Sequence, residues 1–262
     1  MTPDRRRTRS AAALALGLGV VAWSAATGQQ ESRPLVGDRP DFTESSETVE
    51  RGRFQLETGA TRAGFAGDGE ETAVGEVLVR IGLAARWELR LGAGSWVDTA
   101  GGADGFDDAS VGFKVKLADA AGSRPDLALL FGATLPTGSS EQTADEAVPE
   151  VRLAAAWTPA RRLGIGANLG WARAIDAGER YDELSWSVAA GLALAADWGA
   201  FLELYGYSRE ELGGDPTVTV DFGVTRLLHQ HLQLDARLGF ALDDGGGAAA
   251  EWFAGVGAVV LW

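Results

Sequence analysis

The only imidazoles in this 262-residue chain are His229 and His231. They stand two apart at the end of an alternating apolar run, with no serine motif beside them. A hydrolase needs a nucleophile within hydrogen-bond reach of its base, so the two histidines read as solvated turn residues. Cysteine is absent, which excludes a catalytic thiol, a thiolate metal site and a disulfide. Asp104, Asp107 and Asp108, and Asp243 with Asp244, lie in glycine-rich stretches that could offer oxygen ligands to calcium. Neither group has the spacing of a known calcium loop, and solvated acidic loops are the expectation. Gly164-Ile165-Gly166 lies inside an alternating run instead of opening a helix, so it is not a phosphate cradle. No catalytic residue, metal or cofactor is therefore expected.

What remains is a set of charges at strand spacing: Glu57, Glu76, Arg80, Glu88, Arg90, Lys114, Lys116, Asp126, Glu150, Arg152, Glu203, Asp221, Asp235 and Arg237. Each shares a face with polar residues, opposite a face of Leu, Val, Ile and Phe. Charges gathered in an interior must be paired or wet. Two uses follow: a polar pathway that selects solutes by charge, or an ion-pair network that fills a narrow interior and fixes its shape.

Period-two alternation runs through residues 53–65, 74–83, 88–96, 109–117, 125–136, 150–157, 163–171, 184–196, 200–207, 217–225, 232–242 and 251–262. A soluble sandwich also alternates. Three features favour a closed membrane barrel. The connections alternate short and long; residues 84–87, 158–161, 197–199 and 227–231 are short, and 119–124 slightly longer. The long ones are 66–72, 97–108, 137–149, 172–183, 208–216 and 243–250, and both chain ends then fall on the short-turn, periplasmic side. Trp87, Trp157, Trp198 and Trp262 sit by short turns or the C-terminus, while Trp96, Trp171, Trp186 and Trp252 sit where strands meet long loops. That makes two interface girdles. Finally, glycines such as Gly59, Gly82, Gly166, Gly191 and Gly257 share parity with the charges, as a tightly curved sheet requires of its inner face. The expected fold is all-β: an antiparallel up-and-down transmembrane barrel of about twelve strands over residues 52–262.

The chain opens with Arg5, Arg6, Arg7 and Arg9, an apolar run of about thirteen residues too short to span a bilayer as a helix, and the small residues Ala26-Thr27-Gly28. Residues 1–28 read as a cleavable export signal. Its loss takes the net charge from −14 to about −17, and phosphate repulsion leaves nucleic acid out as a partner. Residues 29–51 are polar, with Pro34 and Pro40. They read as an extended periplasmic lead-in, or as a lumen plug in which 38–48 folds inward and Arg39 and the acids join the network.

Asp38-Arg39-Pro40-Asp41-Phe42-Thr43-Glu44-Ser45-Ser46-Glu47-Thr48-Val49, followed by Gly52-Arg53-Phe54-Gln55-Leu56-Glu57, resembles the opening of a bacterial family labelled the MetA pathway of phenol degradation. Arg80-Ile81-Gly82-Leu83, Trp87-Glu88-Leu89-Arg90-Leu91-Gly92 and Leu135-Pro136-Thr137-Gly138 are similar to later parts of that family. The resemblance implies an outer-membrane transporter barrel of a Gram-negative bacterium that passes small aromatic or apolar compounds. It supplies no catalytic residues. The C-terminal Val260-Leu261-Trp262 resembles the signal read by the barrel-assembly machinery. Expected partners are thus outer-membrane lipid, that machinery during biogenesis, and a small-molecule solute. The alternative is a non-transporting barrel with a structural or adhesive role.

Overall fold

A computed structural model describes residues 35–67, 69–195 and 197–262. The expected export signal and the first residues of the lead-in lie outside these. The strands are β1 (Phe54–Phe65), β2 (Gly69–Ala84), β3 (Trp87–Ala93), β4 (Trp96–Thr99), β5 (Gly105–Phe106), β6 (Ala109–Ala118), β7 (Asp126–Leu135), β8 (Val148–Ala160), β9 (Leu163–Asp176), β10 (Glu179–Ala193), β11 (Trp198–Tyr207), β12 (Thr217–His229), β13 (Leu232–Asp243) and β14 (Trp252–Leu261). β3 and β4 are successive pieces on the same edge of β2, and the two-residue β5 pairs only with β4. The described residues thus form twelve staves.

Each stave pairs antiparallel with its sequence neighbours, and β1 closes on β14 from Gln55↔Leu261 to Gly64↔Trp252. Closure removes the unpaired edge that a sheet of this length would otherwise present. The result is a closed twelve-stranded antiparallel barrel. No helix among the described residues is long and apolar enough to cross a membrane; crossing here would fall to the strands.

The two faces divide by parity. Leu169, Leu202 and Leu242 point outward, each more than half exposed, whereas Glu57, Glu88, Lys114, Glu203 and Asp221 are at most 1% exposed. That is the reverse of a water-soluble sandwich, whose apolar side chains pack centrally.

Two of the connections expected to be long are tight. The β1–β2 hairpin stays paired to Phe65↔Gly69. β9 and β10 pair out to Asp176↔Glu179 and turn through Ala177 and Gly178, both with positive φ (49° and 81°). That is the type I′ geometry that matches strand twist. The alternation fades here because the hairpin runs on past Trp171 and Trp186, where neither face need be apolar; Arg173 and Asp182 pair across it at 3.0 Å.

Candidate functional site

Residues 35–50 run inside the barrel, outside the sheet. They are held by side chains that the strands project inward, and the charges of the lumen sort into two walls around them.

On the first wall β2, β3 and β6 contribute Arg80, Arg90, Lys114 and Lys116. Asp38 meets three of these cations: Lys114 Nζ at 2.7 Å, Arg90 Nη1 at 2.5 Å and Arg80 Nη1 at 3.1 Å. Both Glu44 oxygens lie 2.9 Å from Arg90 Nη2, and Glu47 takes Lys116 at 2.5 Å. Asp126 completes that corner, 3.1 Å from Lys116. Two strand acids fill the remaining positions and also accept backbone donors. Glu57 accepts from Arg80 and from the N–H groups of Asp38 and Arg39; Glu88 accepts from Arg80 and from the Val49 N–H. Burial alone would raise the Asp38 carboxyl, but Arg80, Lys114 and Arg90 outweigh it and hold Asp38 well below the usual carboxylate range.

On the opposite wall β11, β12 and β13 contribute Glu203, Asp221 and Asp235. Glu203 accepts the Phe42 N–H at 2.6 Å and the Thr43 hydroxyl. Asn168 on β9 pairs with the Glu44 backbone, accepting its N–H at 2.8 Å and donating to its carbonyl at 3.1 Å. Arg39 crosses to Glu76 at 2.5 Å and Asp235 at 3.4 Å, and Arg237 donates to the Pro40 carbonyl at 3.0 Å. No donor reaches either oxygen of the buried Asp221, and the Glu203 carboxylate lies beside it. Burial, then the nearby Glu203 and Asp221, push Asp41 well above the ordinary range.

Close approach explains several inner glycines. A Cβ at Gly59 or Gly257 would strike the Arg39 guanidinium, and one at Gly82 would strike the Glu50 carbonyl. Glu150 and Arg152 lie outside the two walls, although Arg152 reaches the Phe42 carbonyl at 3.4 Å. With Glu44, Arg90 and Phe113 they line a cavity of about 300 Å³. Two cavities of about 410 Å³ each lie on the far side of the segment, against the wall carrying Gly164, Gly166 and Gly191. Glu44 lines both the 300 Å³ cavity and one of the 410 Å³ cavities.

Trp87, Trp96, Trp157, Trp171, Trp198 and Trp262 are exposed on the outer face. Trp186 and Trp252 share that outward parity and lie against glycines of the neighbouring strand, Gly206 and Gly64. Trp171 donates to Asp182 at 3.1 Å, and Arg226 lies over Trp198 at 5.1 Å.

Gln55, Asn168, Ser187, Tyr205 and Tyr207 were not among the sequence-derived site residues, though they share the inward parity of the charges around them. Asp108 proves to be a loop anchor: its carboxylate accepts the N–H groups of Thr137 (3.0 Å), Gly138 (2.8 Å) and Ala144 (3.0 Å). Burial opposes its ionisation, but these donors prevail and its pKa is lowered. Among the described residues no cluster of His, Cys, Asp or Glu could hold a metal ion.

A family model described as "Putative MetA-pathway of phenol degradation" matches residues 37–259. Among solved structures, an outer-membrane channel from Pseudomonas putida F1 is similar over 83% of this chain and 98% of its own, with TM-score 0.66 at 12% identity. The NanC porin, at 11% identity, and the KdgM porin, at 12%, each match 79% of this chain and 98% of theirs, with TM-score 0.53. At such identities the likeness is one of fold. No curated protein matches the sequence.

Proposed function

The chain belongs to the MetA-pathway phenol-degradation family, and on that premise we propose that it is a non-catalytic outer-membrane channel for small molecules, of the aromatic or apolar kind, in a Gram-negative bacterium. The observation that carries this reading is the inner segment. Residues 35–50 are bonded by side chains and not woven into the sheet, and Glu44 within them lines cavities of about 300 and 410 Å³. A filled barrel needs no removable insert; a gated one does. The porin-like likeness supports the same reading. In it the outward Leu and Val face lipid, the tryptophans form the two girdles, and the barrel-assembly machinery reads Val260-Leu261-Trp262.

A second reading, a non-transporting barrel with a structural or adhesive role, draws on the same network: Arg80, with Asp38, Glu57 and Glu88 around it, is 1% exposed and braces three strands. Single-channel conductance separates the two. Deleting 35–50 raises conductance several-fold if the segment closes a pathway. Unchanged conductance, with the barrel still shifting on a gel when heated, would discard the channel in favour of the brace. Liposome swelling with phenol-like and sugar solutes then ranks the solutes.

A further inference from the structure

Phe42 is the only aromatic residue in 35–50, and its ring is seated among groups that suit an aromatic guest. It stacks on Tyr205 with centroids 4.5 Å apart at 15°, and meets Tyr207 edge-on at 5.6 Å and 74°. The Arg152 guanidinium lies over it, 4.7 Å from the centroid. The ring is nevertheless only half-buried. The Phe42 backbone is fixed separately, by its N–H on Glu203 and its carbonyl beneath Arg152 at 3.4 Å. Rotation about χ1 would therefore free the ring without breaking those bonds.

The cage opens onto space large enough for a small guest. Arg152 and Tyr207 line a polar cavity of about 120 Å³ with Glu150, Glu183 and Ser185, and Arg152 and Glu150 also line the 300 Å³ cavity.

We propose that Tyr205, Tyr207 and Arg152 form a binding site for a neutral aromatic ring bearing a hydroxyl, and that Phe42 is a built-in stand-in which the solute displaces. The proposal rests on the channel reading and adds to it a site and a ligand chemistry. Stacking on a tyrosine and lying under a guanidinium reward an aromatic ring over a saturated one of equal size. Glu150 and Glu183 are placed to accept a hydrogen bond from the ring hydroxyl at the mouth of the cage, and they repel a carboxylate. Glu150 and Glu183 beside Arg152 offset its charge, so an incoming carboxylate meets little net attraction. A neutral phenol fits these constraints; benzoate and cyclohexanol each violate one.

The test is calorimetric titration of phenol, cyclohexanol and benzoate into the full chain in lipid nanodiscs, with heat of partitioning subtracted using empty discs. With its internal competitor removed, F42A should bind phenol about tenfold more tightly than the unaltered chain. Adding Tyr205→Leu should lose about tenfold again. Cyclohexanol and benzoate should bind F42A at least about fivefold more weakly than phenol does. F42L, which keeps bulk but loses the ring, should bind phenol more tightly than the unaltered chain and less tightly than F42A, and heat-modifiable migration certifies that each variant is a closed barrel. Equal affinity of F42A for phenol and cyclohexanol, or no gain over the unaltered chain, would overturn the site. Conductance of the same proteins keeps the two ideas apart: an open pore without ring preference sinks only the site, whereas no pore even after deleting 35–50 sinks the channel.

Discussion

The two walls of the lumen treat the same inserted segment in opposite ways. The wall of β2, β3 and β6 offers cations, and Asp38, which meets three of them, is held strongly ionised, whereas burial pushes Glu44, bound chiefly to Arg90, up to about 7. The wall of β11, β12 and β13 offers acids. An acid placed against it, Asp41, is driven towards its neutral form, while Asp221 is left without a donor. The segment answers by direction: Asp38, Glu44 and Glu47 reach one way, the Phe42 N–H and Thr43 hydroxyl reach the other, and Arg39 spans from Glu76 on β2 to Asp235 on β13. Docking between Asp38 and Glu47 is therefore set chiefly by charge complementarity across the bore, while Leu35 and Val49 at the ends of the segment pack on Val259 and Leu261. The segment should thus detach under conditions that leave the barrel folded.

The comparison can be broken hardest at Asp38. Asp38→Ala leaves the buried Lys114 with only Glu44 at 3.6 Å, takes one carboxylate from Arg80 and Arg90, and should weaken docking by about 3 kcal/mol. Hydrogen exchange of 35–50 should then rise by orders of magnitude with strand protection kept; unchanged protection would mean that the cationic wall does not hold the segment.

Acid should reach the same wall next. Because the folded pKa of Asp38 is depressed, its contribution is present above the ordinary value of 3.8 and is lost as pH falls through the folded value. Asp41 has the opposite sign: its raised pKa gives a contribution complete below 3.8 and lost as pH rises through the folded value. Each tenfold change in proton affinity on docking corresponds to about 1.4 kcal/mol. Asp41→Asn should therefore improve retention of the segment at neutral and alkaline pH and leave its release in acid intact. Release in acid that persists unaltered in Asp38→Asn would refute this assignment.

A smaller change should sharpen the acidic wall. Asp221→Asn replaces a carboxyl crowded by the Glu203 carboxylate with a neutral amide that can donate to it, and should stabilise the barrel by about 1–2 kcal/mol at alkaline pH, where both acids would otherwise be ionised. The temperature of the heat-induced gel shift should rise, and a fall would show that Asp221 has a partner when solvated. The smallest effect is reserved for a pair outside the lumen. Arg173→Ala, across from Asp182 on the protruding hairpin, should cost less than about 0.5 kcal/mol and leave conductance unaltered. A larger loss would mean that the hairpin, and not the lumen, governs stability.

Parity alone places Glu57, Arg80, Lys114 and Glu203 on one face of their strands, because side chains in a strand alternate from one residue to the next. A closed barrel follows from that alternation together with the placement of tryptophan and glycine. Partnership is another matter. Lys114 and Asp38 are 76 positions apart, and Arg39 and Asp235 are 196 apart. No local pattern encodes such meetings; they arise when β1 closes on β14 and brings distant strands around one bore. The same holds for the Phe42 cage. Tyr205 and Tyr207 carry the inward parity, but an inward tyrosine becomes a site only when a ring from elsewhere in the chain lies against it. Likewise Asp108 reads as one more loop acid until the 137–144 backbone folds over it. Which side of each strand meets lipid and which meets the lumen is written in the order of residues, since it is a property of period two and of side-chain polarity. Which charges pair, where the segment lies and what stacks on Phe42 are settled only in three dimensions, because register and closure set the distances between residues far apart in the chain.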